Sequence, residues 1–137
     1  MQTIANMMHR DVLSVTQDQT MREAIELFRI RRIRHLPVVE EGQLVGIVTD
    51  RDTKRATPSL LSEGGRDEYD RVLDTTRVSQ IMTRDPITVT PQTLISDALD
   101  ILIDRKVGAL PVIEGSSLVG IVTDIDFLRA FKASLKG

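Results

Sequence analysis

Hydrophobic and polar positions along this chain change period in an orderly way, and they do so twice. The short runs Val12 to Thr16 (VLSVT) and Ile87 to Val89 predict a strand, each followed by a turn-like polar stretch, QDQT or PQT. Met21, Ala24, Ile25 and Phe28 then recur at i, i+3, i+4 and i+7, as do Ile95, Ala98, Leu99 and Leu102, which is the stripe of an amphipathic helix. Thr20, and Thr93 or Ser96, are the candidate N-caps, with Glu23 and Asp97 adding negative charge to the first turn. Two β-branched runs, Leu36 to Val39 and Leu44 to Thr49, flank the polar EEGQ and predict a hairpin. Asp50 to Ala56 and Asp124 to Leu135 read as helices, with Ile125, Leu128, Ala130 and Phe131 facing inward in the second. The unit is βαββα, and the predicted fold class is α+β. A three-stranded unit cannot cover both faces of its sheet alone, so two units are expected to pack sheet to sheet with pseudo-twofold symmetry.

The doubling is written in the residues themselves. Slid against itself by 74 positions, LPVVEEGQLVGIVTDRD from Leu36 lies over LPVIEGSSLVGIVTDID from Leu110 without a gap. Met8 falls on Met82, Arg10-Asp11 on Arg84-Asp85, Val15-Thr16 on Val89-Thr90 and Ala24 on Ala98; 19 of 45 aligned positions are identical, so the chain is two copies of one unit. The sequence divides into repeat 1 at residues 1–56, a connector at 57–77 and repeat 2 at 78–137. Thr57-Pro58-Ser59 and Gly64-Gly65 are breakers within the connector, which is expected to hold a short helix through Tyr69, Val72 and Leu73.

Composition narrows the function. At 137 residues the chain can bury a core without staples, and with no cysteine it has neither disulfides nor thiolate metal sites, which fits a reducing, cytoplasmic setting. No basic-then-apolar N-terminal stretch suggests a signal peptide, and apolar runs of four or five residues are far short of the ~20 needed to span a bilayer. A formal net charge of −2 with interleaved signs argues against general nucleic-acid binding, and three Phe with one Tyr offer few stacking surfaces. Two histidines and no suitably spaced acid give no nucleophile and base arrangement, so no enzyme is expected. His9 reads as a surface residue. Gly46 and Gly120, each inside a strand, read as places of close backbone approach.

At LPVVEEGQLVGIVTDRD and LPVIEGSSLVGIVTDID the sequence resembles the CBS domain family, whose hallmark is LPVVD, a turn, and then a [LVI]VGI[VI][ST]xxD strand and helix start. The segments MxRDV and MTRDPITVTP look like the family's opening strand. Because the match occurs twice in register, the chain is similar to a stand-alone tandem CBS pair, a Bateman module. IRHLPVVEEGQLVGIVTDRDTKRATPS is similar, more loosely, to the pair in bacterial acetoin-utilisation-type proteins. Such proteins often carry a further C-terminal domain; none is expected within the residues through Gly137. The resemblance implies a regulatory module that binds an adenosine-containing ligand, AMP, ADP, ATP or a related adenosyl compound, with no covalent cofactor. It also implies a homodimer, and the second apolar helix faces at Leu27 and Ile30, and at Ile101 and Ile103, favour an isologous one. An unidentified protein partner would receive the signal.

The candidate site follows from the helix starts. Thr49-Asp50-Arg51-Asp52 and Thr123-Asp124-Ile125-Asp126 each stand where a strand gives way to a helix, so the first N–H groups of that helix are expected to be free for an anion. The aspartate three residues on can accept the vicinal hydroxyls of a ribose. The same residues can equally be plain N-caps worth about 0.5 to 2 kcal/mol each. Family geometry joins the opening strand and the pre-proline segment of one repeat to the TxxD of the other. Cleft A then combines Met8, Leu13, Ile33, Arg34 and His35 with Ile121, Thr123 and Asp126. Cleft B combines Met82, Ile87, Val107, Gly108 and Ala109 with Ile47, Thr49, Arg51 and Asp52. Arg34 and His35 face Gly108 and Ala109 across the alignment, so the clefts are expected to be unequal in charge. Arg31 and Arg32 are accounted for by the helix C-terminus. Asp50 and Asp52, or Asp124 and Asp126, form no intrinsic metal site; a Mg²⁺ ion would arrive bound to nucleotide. Constitutive protein interaction with empty clefts, and RNA or DNA binding through Arg29 to His35, are the competing readings.

Overall fold

The computed structural model describes residues 2–136. After a 3-10 turn at Ile4–Asn6, the elements in chain order are α1 (Met21–Arg31), β1 (His35–Glu40), β2 (Gln43–Thr49), α2 (Asp50–Ala56), α3 (Gly65–Thr75), α4 (Val78–Ile81) and β3 (Thr83–Arg84). Then come α5 (Ile95–Arg105), β4 (Ala109–Glu114), β5 (Ser117–Thr123) and α6 (Asp124–Ser134). The chain is mixed α/β with antiparallel hairpins in two repeats. The sequence repeats and the compact units are different partitions of it. One unit is Leu13–Asp85; the other joins the residues up to Val12 with those from Pro86 onward. The segment that opens each repeat is thus housed with the hairpin of the other.

Within the unit at 13–85, β1 and β2 pair antiparallel from His35 opposite Thr49 to Glu40 opposite Gln43, with a bulge between Val38 and Val39. Their turn is the two residues Glu41 and Gly42, both at positive φ, as the type I′ turn requires. Thr20 caps α1: its hydroxyl accepts from Glu23 N–H, and Glu23 reaches back to complete the capping box. Hydrogen bonds from Gln19 and then Thr20 hold the Glu23 carboxyl below the usual carboxylate range. Val15, Ala24, Phe28, Leu36, Val38, Val48 and Val78 form the core. The connector belongs to this unit. Its helix α3 runs through Tyr69, Val72 and Leu73, buries Leu73, and is tied to α1 where Arg22 pairs with Asp70 and Asp74.

The second unit repeats the hairpin residue for residue. β4 and β5 pair from Ala109 opposite Thr123 to Glu114 opposite Ser117, with the bulge between Val112 and Ile113. Here only Gly115 of the turn has positive φ, which is the glycine that a type II′ turn places first. Ile4, Met8, Val89, Ala98, Leu110, Val112, Val122 and Phe127 form its core.

Three expectations are corrected. The opening strands at Val12 to Thr16 and Ile87 to Val89 reduce to single parallel bridges, Val15 to Val38 and Val89 to Val112. The bulge beside each bridge breaks the ladder, so one residue docks by its N–H and C=O while its neighbours leave the sheet. The strand pairing sits earlier instead, in β3 against β2 and at His9 against Ile121. Neither Thr93 nor Ser96 caps α5; Leu94 stands at the N-cap without a side-chain bond. The Thr93 hydroxyl is committed to the preceding turn, where it accepts from Thr90 N–H at 3.0 Å. Finally, Ile125, Leu128, Ala130 and Phe131 do not face inward: α6 docks through Phe127, and every residue described from Leu128 onward is exposed.

Candidate functional site

The strand that ends in Thr49 and the strand that ends in Thr123 build the same corner twice. Asp50 N–H donates to Arg34 O at 2.9 Å, and Asp124 N–H donates to Gly108 O at 2.9 Å. The residue before each pre-proline pair is thereby fastened to the start of the following helix. His35 stands opposite Thr49, and Ala109 opposite Thr123, in the strand register. Close approach of a third strand completes the corner, and glycine permits it. A Cβ at Gly46 would lie 2.7 Å from Met82 Sδ and 2.9 Å from Thr83 O; one at Gly120 would lie 2.9 Å from Met8 Sδ and 3.0 Å from His9 O.

The helix starts are partly closed from within, which narrows the expectation of free N–H groups: the Thr49 side chain accepts an N–H of α2, whereas the Thr123 side chain accepts none of α6. In α2, Thr49 N–H donates to Asp52 Oδ2 at 2.9 Å and Asp52 N–H donates to Thr49 Oγ1 at 3.1 Å, a reciprocal capping box. In α6, Thr123 gives both its N–H (2.8 Å) and its hydroxyl (3.1 Å) to Asp126 Oδ2, and Ile125 N–H donates to Asp124 Oδ1 at 2.8 Å. The polar three-residue spacing that predicted an anion site is therefore satisfied first from within. The aspartates keep chemistry in reserve, because an ionised carboxylate has about four lone-pair sites and the cap uses one oxygen. Both are mostly shielded, with side-chain exposures of 17% for Asp52 and 10% for Asp126.

The second oxygen differs between the copies. Asp126 Oδ1 lies 2.7 Å from His9 Nε2, whereas Asp52 Oδ1 lies 4.0 Å from Arg55 Nη1, an ion-pair distance rather than a hydrogen bond. His9 is the functional-site neighbour that the sequence reading missed. The offset of 74 carries it onto Thr83, so the signal available was an ionisable residue aligned with a neutral one.

Of the residues expected in cleft A, Met8, Ile121, Thr123 and Asp126 share the unit that includes β4 and β5, and Met8 is buried against Gly120. Leu13, Ile33, Arg34 and His35 belong to the unit at 13–85; Arg34 is exposed, His35 half-buried. Of those expected in cleft B, Met82, Ile47, Thr49, Arg51 and Asp52 belong to the unit at 13–85, with Arg51 exposed on the first turn of α2. Ile87, Val107, Gly108 and Ala109 lie in the other unit, where Ile87 and Val107 pack on its core and Ala109 is buried. Arg34, His35 and Arg51 thus surround one helix start, and Gly108, Ala109 and Ile125 the other. Among the described residues no cluster of three or more His, Cys, Asp or Glu could hold a metal ion. No helix among them is long and apolar enough to cross a membrane.

Comparison with known proteins agrees with the doubled corner. The CBS domain profile matches residues 4–58 and again 78–133. A CBS domain-containing protein of Dictyostelium discoideum is 33% identical over 128 residues, which cover 91% of this chain and 88% of that protein. The crystal structure of a Vibrio cholerae protein described as an acetoin utilization protein, AcuB, superposes with a TM-score of 0.82 at 29% identity, covering 99% of this chain and 94% of that one. The structure of CBSX2 in complex with AMP superposes with a TM-score of 0.81 at 25% identity over 96% of this chain and 97% of that one. With both repeats matched and the same hairpin and capped helix built twice, the chain belongs to the CBS domain family as a tandem pair.

Proposed function

We propose that this CBS pair is a regulatory module that binds an adenosine-containing ligand, AMP, ADP, ATP or a related adenosyl compound, and catalyses no reaction itself. The observation that carries this reading is the duplicated TxxD corner, in which a shielded aspartate keeps one carboxylate oxygen outside its own capping box. A vicinal ribose diol can donate to such an oxygen, and hydrogen bonds to a charged acceptor are the stronger kind. The complex of CBSX2 with AMP supports the ligand class. Arg34 and His35 supply the phosphate preference, and Asp126 and Asp52 the ribose contacts. Any Mg²⁺ arrives with the nucleotide's phosphates.

Occupancy is read out through an isologous dimer and passed to a protein partner. The exposed Ile30, Ile103, Leu128 and Phe131 supply the apolar surface that a second copy would cover. Light scattering at micromolar concentration should give twice the mass of the chain.

The reciprocal cap at Thr49 and Asp52 favours a second reading, in which the corners are purely structural and the pair is a constitutive interaction module. A thermal-shift panel of adenine and guanine nucleotides, adenosine and S-adenosylmethionine separates the two. Ligand at about 100 times Kd stabilises by roughly 2.7 kcal/mol, a shift of several degrees. Movement below about one degree with every compound would leave the constitutive reading standing. In titration calorimetry, Arg34→Ala should weaken AMP by about 1.5 to 3 kcal/mol while sparing adenosine. Asp126→Ala should weaken both.

A further inference from the structure

Building on the adenosyl-ligand reading, we propose that His9 sets the affinity and diol selectivity of the Asp126 subsite by holding the carboxylate oxygen that a ribose must take. The two corners are otherwise matched. His9 exchanges both backbone bonds with Ile121, at 2.9 and 3.0 Å, and Thr83 stands in the same register opposite Ile47. The side chain is what differs. His9 Nε2 is 2.7 Å from Asp126 Oδ1, and because an ionised carboxylate only accepts, that nitrogen carries the hydrogen.

Asp126 is consequently engaged on both oxygens: Oδ2 by Thr123 N–H and hydroxyl, Oδ1 by the imidazole. A vicinal diol donating two hydroxyls to this carboxylate has to displace the imidazole, whereas Asp52 Oδ1 lies 4.0 Å from Arg55 Nη1, too far for a hydrogen bond. Displacement is feasible because the His9 side chain is 60% exposed and can turn into water. It is also costly, because Asp126 is only 10% exposed and its bonds are shielded from solvent competition. The histidine therefore acts as a built-in competitor in one corner, where the matching residue of the other is Thr83.

The test isolates the Asp126 corner in an Asp52→Ala background and titrates adenosine and 2′,3′-dideoxyadenosine by calorimetry. His9→Thr, which installs the residue found at the matching position, should tighten adenosine about tenfold, the worth of about 1.4 kcal/mol. Binding of dideoxyadenosine should not change, and His9→Ala should reproduce the effect if threonine disturbs the strand. The reciprocal Thr83→His, in an Asp126→Ala background, should weaken adenosine at the other corner by a similar factor. Unchanged or weaker adenosine binding in His9→Thr and His9→Ala, with the wild type still binding, would overturn this inference and leave the adenosyl reading intact. Absence of adenosine binding in every variant, wild type included, would overturn both.

Discussion

The unit at 13–85 and the unit that carries β4 and β5 share a backbone and differ in chemistry. Their hairpins have identical registers under the 74-residue offset, including the bulge between Val38 and Val39 and that between Val112 and Ile113. Around the helix starts, however, Arg34, His35, Thr83 and Arg51 in one unit correspond to Gly108, Ala109, His9 and Ile125 in the other. The residues that repeat are those that define the corner: the strand glycine, the cap threonine and the third-position aspartate. Those that diverge are mostly exposed, where substitution costs little stability. Duplication has therefore kept one frame while leaving two differently charged helix starts on it.

The equivalence of the frames is tested most severely in the cores. Leu36 and Leu110 are both fully buried in matching strands, so Leu36→Ala and Leu110→Ala should each cost about 2 to 5 kcal/mol in urea denaturation. A loss in one below half that in the other would show that the units are not energetically alike. A smaller effect sharpens the comparison at the corners. Gly46→Ala and Gly120→Ala should each destabilise by about 1 to 3 kcal/mol, since the methionine sulfur can swing aside but the carbonyls of Thr83 and His9 cannot. Gly46→Ala should be the worse, because both of its obstructing atoms are nearer.

Much of this was legible in the chain because the periodicity and the physics agreed. The stripes at Met21 to Phe28 and Ile95 to Leu102 became α1 and α5, the β-branched runs became the hairpins, and the glycines within strands marked close approach. What stayed hidden depended on partners distant in sequence. Asp126 and His9 are 117 residues apart, and no local pattern announces their pairing. The caps at Thr49 and Thr123 read correctly as helix starts, yet open and closed helix ends have the same sequence signature. The Arg34 and Gly108 carbonyls, brought round by the hairpins, take the first N–H of each helix, and no local pattern announces them. The apolar residues of α6 looked like core because an amphipathic stripe does not say whether an element of the same unit lies against it.

The smallest predicted effect concerns a strain that both units carry at the same place. Helix α1 ends at Arg32 with φ 54° and ψ 44°, and α5 ends at Lys106 with φ 53° and ψ 42°, both in the left-handed region. A residue with a Cβ costs about 1 to 2 kcal/mol there, and glycine none. Glycine brings back about 0.5 to 1 kcal/mol of unfolded-state entropy, and removing the cation gives up part of a favourable dipole interaction at the helix end. The net expectation is a gain of a few tenths to about 1 kcal/mol for Arg32→Gly and for Lys106→Gly alike. The control is Arg31→Gly, inside α1 by one residue, which should lose up to about 1 kcal/mol because its backbone is helical. Thermal melts of the three variants should therefore move in opposite directions at adjacent positions. Stabilisation by Lys106→Gly without any from Arg32→Gly would mean that the Arg32 side chain does more in its unit than neutralise a helix end.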